Sequence, residues 1–215
     1  MSSALDSLAA GARSILGRSL QERELESFGK YLNLLQKWQN IHRLVGSTEP
    51  AWIVENLFLD SLLFLRVLPA SIGSVADLGS GAGFPGIPIS IVRSELDIAL
   101  IESRERRVSF LSTVLRELAL ERARVVAGRV ESLPREIIGT FGAVVMRCVG
   151  DIQELLPQAA RLLLPGGMIV VSGPPARAPL DYHGQWIEVP GLRPDRARRF
   201  AVYRPGGAKE APSSV

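Results

Sequence analysis

The spacing of apolar residues changes near residue 74. Before it, Leu25, Phe28, Leu32, Leu35 and Trp38 recur every three or four positions, as on one face of a helix. Ser19-Leu20-Gln21-Glu22 fits a capping box opening that helix. A second helix is expected from about Pro50, carrying Trp52, Ile53, Leu59, Leu63 and Phe64, and Pro69 and Gly73 break the pattern. Beyond residue 74 short apolar runs at 75–78, 98–101, 124–127, 143–146 and 168–171 alternate with helical segments, among them 104–118 and 151–164. Asp151 is the expected N-cap of the last helix, and Pro165-Gly166-Gly167 is expected to stop it and turn into the next strand. Such alternation predicts right-handed crossovers and a parallel sheet. The runs 186–189 and 200–203 have no helix between them, so they are expected to close the sheet as an antiparallel pair.

This pattern predicts an α/β chain. A helical extension (1–70) is docked on a doubly wound, mostly parallel seven-stranded sheet domain (71–205), and residues 206–215 form a disordered tail. There is no internal repeat.

The chemistry is concentrated after the first strand, in Asp77-Leu78-Gly79-Ser80-Gly81-Ala82-Gly83-Phe84-Pro85-Gly86. Glycines let the backbone turn with positive φ and let a ligand approach the N–H groups. Glu102 ends the next apolar run, where an acidic side chain can accept from ribose hydroxyls. Gly81 to Gly86 is a literal G-x-G-x-x-G, so a dinucleotide has to be considered. A pyrophosphate needs free N–H donors at the helix start, but Pro85 and Pro88 remove two of them. Asp77 would repel a pyrophosphate and would suit an ammonium and a sulfonium. S-adenosylmethionine carries both and has no phosphate.

Ligands in such folds lie beyond the carboxyl ends of the strands. That places Gly79, Gly81, Gly83 and Phe84 after the first strand, Glu102 after the second, Val130 and Glu131 after the third, and Arg147 and Cys148 after the fourth. Val130 is expected to pack on the adenine, and Arg147 either to anchor a phosphate or to take part in a surface ion pair. Cys148 admits two readings: a small buried thiol, or the nucleophile of a pyrimidine-C5 methyl transfer.

Composition narrows the class. The chain has 215 residues, 47% of them hydrophobic and 22% charged, as in a globular protein. No apolar run reaches the roughly 18 residues of a membrane span, and the first 20 residues show no secretory h-region. One cysteine fits a reducing cytoplasm. His42 and His183 are isolated, so no metal site is expected. Lys30, Lys37 and Lys209 are the only lysines among 25 basic residues, and arginine dominance with a net charge of +3 permits an anionic partner.

The run from Asp77 to Pro88 resembles the signature of the small-subunit ribosomal RNA guanine-N7 methyltransferases (RsmG, formerly glucose-inhibited division protein B), with Phe84-Pro85-Gly86-Ile87-Pro88 as its distinguishing part. Further matches are Glu102-Ser103, Arg106 to Leu111, Gly128 to Glu131, Arg147, Tyr31 to Trp38, Phe58-Leu59-Asp60-Ser61-Leu62, and Arg198-Arg199-Phe200-Ala201-Val202. The resemblance implies a class I, Rossmann-like methyltransferase fold with S-adenosyl-L-methionine as cofactor. Gly79, Phe84, Val130, Glu131 and Arg147 would line its site, with Glu102 on the ribose. It implies N7 of one guanosine in 16S ribosomal RNA, free or in the small subunit, as acceptor. A monomer is expected, with no membrane or DNA partner.

Where the family reads Trp-Asn-Lys-x-x-Asn-Leu-Thr, this chain has Trp38-Gln39-Asn40-Ile41-His42-Arg43-Leu44-Val45. A usual histidine is replaced near Leu57, and Val171-Ser172-Gly173 stands for Leu-Lys-Gly. These changes keep open a cofactor-binding, RNA-binding descendant with altered or lost transfer activity. A dinucleotide oxidoreductase is the remaining alternative, disfavoured by Asp77 and the prolines.

Overall fold

A computed structural model describes residues 2–147, 152–172, 184–192 and 197–205. The expectations for Cys148, the Asp151 cap, His183 and the tail 206–215 lie outside the described residues.

The strands β1 (Ser74–Leu78), β2 (Asp97–Glu102), β3 (Ala123–Ala127), β4 (Phe141–Met146), β5 (Leu163–Ser172), β6 (Gln185–Pro190) and β7 (Ala197–Tyr203) form one sheet in the order β3-β2-β1-β4-β5-β7-β6. The first five are parallel, and β7 runs antiparallel to both β5 and β6, as the sequence pattern predicts. Strand alternation divides the core in two. Val75, Ile98, Leu100, Val145, Val170 and Val202 pack with the N-terminal helices, whereas Ala76, Leu78, Ile101, Val144, Ile169 and Val171 pack with Leu156, Ala159 and Leu162.

The N-terminal layer begins with a helix that the sequence reading did not resolve within its helical region, α1 (Ser2–Leu16), followed by α2 (Glu22–His42). The N-cap of α2 is Gln21, two residues later than Ser19: its backbone N–H donates to Glu24 Oε2 at 2.7 Å. Glu24 is held there by two 2.8 Å hydrogen bonds from Arg18, whose Nη2 also donates to the Val92 carbonyl. Tertiary contacts thus choose which carboxylate closes the box.

The third helical stretch starts at Pro50 as expected. It runs through α3 (Pro50–Ile53), a π-turn (Val54–Leu59), α4 (Asp60–Leu62) and a 3-10 turn (Leu63–Arg66). The crossover helices on this face are α5 (Gly86–Val92) and α6 (Glu105–Glu117), and α7 (Ile152–Arg161) covers the other.

Pro165-Gly166-Gly167 does not separate α7 from its strand. Phe141 pairs with Leu163 and Ala143 with Met168, so the three residues form a bulge inside β5. Gly166, at φ +78°, takes the left-handed conformation that lets the ladder resume.

Candidate functional site

The loop after β1 is folded back on β2. Gly79 and Ser80 both donate to the Ile101 carbonyl, at 2.9 and 3.0 Å, and the Gly81 N–H donates to Glu102 Oε2 at 3.0 Å. Glu102 Oε1 accepts from Ser103 and Arg104 N–H, each at 2.9 Å, and Arg107 Nη1 lies 3.6 Å from Oε2. One nearly buried carboxylate therefore organises the ends of two strands.

Two clefts open at the carboxyl edge of the sheet and meet at Gly79. One, of about 620 Å³, lies between β2 and β3 and is lined by Glu102, Ser103, Val130 and Glu131. The other, of about 640 Å³, lies between the loop and the N-terminal layer. Gly81, Phe84, Arg107, Arg147, Asp60 and Trp52 are among its walls. Gly79, Gly81, Phe84, Glu102, Val130, Glu131 and Arg147 are thus brought together as the sequence suggested.

Asp77 and Gly83 are not on this surface. Gly83, at φ +96°, faces the core: a Cβ there would stand 2.9 Å from the Tyr31 hydroxyl. Tyr31 is fully buried, donates to the Ala82 carbonyl, and stacks on Phe84 (5.5 Å) and Phe58 (5.2 Å). Asp77 lies beneath the loop with no exposed surface. Its Oδ2 accepts from Gly86 N–H at 2.9 Å, and Oδ1 has no partner among the described residues. It was expected beside a ligand's ammonium. Instead it pins the start of α5, because a side chain from that position of β1 points under the helix rather than over the loop.

Burial pushes the Asp77 carboxyl up to about 7, against the lowering effect of the hydrogen bond from Gly86 N–H. A carboxyl raised in the folded state stabilises it fully below the unfolded pKa near 4, and that contribution is lost as pH rises through 7. Asp77→Asn keeps an acceptor for Gly86 and removes the titration. The stability difference between variant and parent is expected to shift towards the variant by at most about 1.4 kcal/mol per pH unit between pH 4 and 7. Urea titrations across that range measure it, and parallel curves would place the Asp77 carboxyl in the ordinary range.

Arg147 sits at the mouth of β4 with its guanidinium 6.0 Å over the Phe84 ring. Its Nη2 donates to the Asn56 carbonyl and lies 3.4 Å from Asp60 Oδ2, whereas Nε and Nη1 are covered and have no partner among the described residues. Asp60 is shared with Arg198, whose Nε is 3.0 Å from Oδ1 and whose Nη2 is 3.2 Å from Oδ2 and also bonds Ser172 Oγ. One carboxylate between two guanidiniums gives this cluster of three side chains a net positive charge. The sequence placed Asp60 and Arg198 only within runs matching a family, with no sign that they meet.

No group of three or more His, Cys, Asp or Glu that could hold a metal occurs among the described residues, and no helix there is long and apolar enough to cross a membrane.

A sheet of this order, with an antiparallel β7 and a glycine loop feeding two joined clefts, defines an S-adenosylmethionine-dependent methyltransferase of the Rossmann-like class. A solved relative by fold is a SAM-dependent methyltransferase from Aquifex aeolicus. It has a TM-score of 0.53 and 17% identity, covering 73% of this chain and 93% of that one. The sequence profile of the GidB family, rRNA small subunit methyltransferase G, matches residues 24–174. The ribosomal RNA small subunit methyltransferase G of Desulfitobacterium hafniense is 34% identical over 74% of this chain and 70% of its own length. That of Leptothrix cholodnii is 30% identical over 93% and 95%. The chain belongs to the ribosomal RNA small subunit methyltransferase G family.

Proposed function

We propose that this protein transfers the methyl group of S-adenosylmethionine to N7 of a guanosine in 16S ribosomal RNA. The observation that carries the reading is the junction of the two clefts at Gly79. A donor whose adenosine lies between Glu102 and Val130 would pass Gly79 and present its methyl group to the arginine-lined cleft. The acceptor enters that cleft between the sheet and residues 1–70, which act as a substrate-side layer.

Glu102 has a more structural role than ribose binding alone. An ionised carboxylate offers about four lone-pair sites, and three backbone N–H groups already use them. One remains for a ribose hydroxyl. Val130 packs on the adenine, and Glu131 borders it.

The chemistry asks little of side chains. The N7 lone pair attacks the methyl carbon, the carbon–sulfur bond breaks, and sulfur leaves as a thioether. No proton moves before attack. Holding N7 in line with the methyl group is the main task, and orientation of this kind supplies up to ~7–11 kcal/mol. Positive charge passes to the purine, so a guanidinium against the ring would oppose the reaction. Arg147, fixed over Phe84 by Asp60 and Asn56, therefore contacts the cofactor carboxylate or an RNA phosphate. Such a substrate places the enzyme in the cytoplasm.

Mapping N7-methylguanosine in 16S ribosomal RNA from a deletion strain tests the reading. The mark should vanish in the deletion and return with the parent gene. Purified Arg147→Ala should lose about 3 kcal/mol in kcat/KM, as for one preorganised donor. A deletion strain that keeps every N7-methylguanosine would overturn the proposal.

A further inference from the structure

We infer that Trp52 is a stacking platform for an unpaired base of the substrate RNA; this rests on the RNA-methyltransferase reading above and extends it to how the acceptor strand is held.

Trp52 is out of keeping with its surroundings. Its neighbours on the same helical stretch, Ile53, Val54, Phe58 and Leu59, are buried, yet Trp52 keeps 38% of its surface exposed. Leu164, at 43%, is the other large apolar side chain exposed among the described residues. It sits near the amino end of β5, away from the clefts, which open at the carboxyl ends. Trp52 lies on the wall of the larger cleft, with Leu44, Val45, Gly46 and Leu192 around it.

The ring has a neighbour on one side. The segment carrying Gly46 runs alongside it, and a Cβ at Gly46 would make ordinary van der Waals contact, 3.5 Å from Trp52 Cη2. The segment carrying Gly46 is braced from α2: Gln39 Nε2 donates to the Val45 carbonyl at 2.7 Å, and its Oε1 accepts from Val45 N–H at 2.8 Å. Gln36 donates to the Thr48 carbonyl. Gln39 lies in the stretch where this chain departs from the usual family pattern, and here it fixes the backing of the aromatic wall.

The same cleft holds Arg107, Arg147 and Arg198 against Glu55 and Asp60. A planar apolar face beside guanidinium groups matches one chemistry well: a flat base on an anionic strand. Unstacked bases of RNA loops settle on such aromatic faces, and stacking tolerates any base while the arginines hold phosphate. The adenine of the cofactor has its own place in the smaller cleft, so Trp52 is free for the acceptor strand.

The test uses the full-length protein and 16S ribosomal RNA from the deletion strain, with Trp52→Ala, Trp52→Leu and Trp52→Phe. RNA affinity is measured directly at fixed salt, KM and kcat by methyl transfer, and S-adenosylmethionine affinity by calorimetry. Ala and Leu should weaken RNA binding and raise the RNA KM by about tenfold or more, and Phe should recover most of the loss. S-adenosylmethionine affinity and kcat should stay at the parental level. Unchanged RNA affinity in Ala would overturn the inference. So would a loss confined to the cofactor, or a Leu variant as good as Phe, since that would reduce the contact to plain apolar burial. If the parent binds RNA through Trp52 but transfers no methyl group, the functional reading fails and this inference stands.

Discussion

Glu102→Ala is expected to lower S-adenosylmethionine affinity by about 3 kcal/mol, more than the loss of a ribose contact would suggest. One hydrogen bond to a charged group contributes ~1.5–3 kcal/mol. Here the carboxylate accepts from three backbone N–H groups, at Gly81, Ser103 and Arg104, and faces Arg107. Removing it leaves three donors without an acceptor and an arginine without its partner at the junction of the clefts, so the loop loses the shape that admits the ligand. Glu102→Gln should be nearly as damaging, because its amide group would point a donor at donors. Calorimetry with S-adenosylmethionine measures both variants. If Gln binds as well as the parent while Ala does not, side-chain volume rather than accepting capacity is what the site requires.

Gly83→Val should cost about 3–5 kcal/mol of folding stability, the range of severe backbone and packing defects. A β-branched residue at φ +96° is strained by itself, and its Cβ would stand 2.3 Å from Ile87 Cδ1 and 2.9 Å from the Tyr31 hydroxyl. Ile87 can turn its end away, but Tyr31 cannot move. It is fully buried, stacked between Phe58 and Phe84, and bonded to the loop it would have to leave. Gly81→Ala makes the contrast. Its Cβ meets only Arg107 Nη1 at 3.6 Å and the Gly79 carbonyl at 3.8 Å, so the cost is about 1–2 kcal/mol for a left-handed residue. Its damage should appear in ligand binding, since Gly81 lines the cleft. Chemical denaturation of both variants, with calorimetry on Gly81→Ala, separates the two roles. Equal stabilities would mean that Tyr31 does not clamp the loop.

Two glycines of one motif thus serve different purposes, and the motif's letters do not distinguish them. What the sequence by itself determined is what short-range patterns encode. Strand and helix periodicity placed all seven strands, and the missing crossover helix between the last two runs announced the antiparallel β7. The glycine run, with Glu102 one strand further on, marked the edge at which the two clefts open, because in a parallel sheet every loop after a strand opens on the same side. The tertiary structure decided what those residues face. Asp77 turns beneath the loop because side chains of a strand alternate between its faces, and at its position the face belongs to α5. Gln21 caps α2 because Arg18, tied to Val92, holds Glu24 in reach. The ion-pair cluster joins residues 60, 147 and 198. Side chains so far apart along the chain have no common local pattern. Their meeting depends on how the N-terminal helices settle on the sheet, an outcome of packing over the whole core.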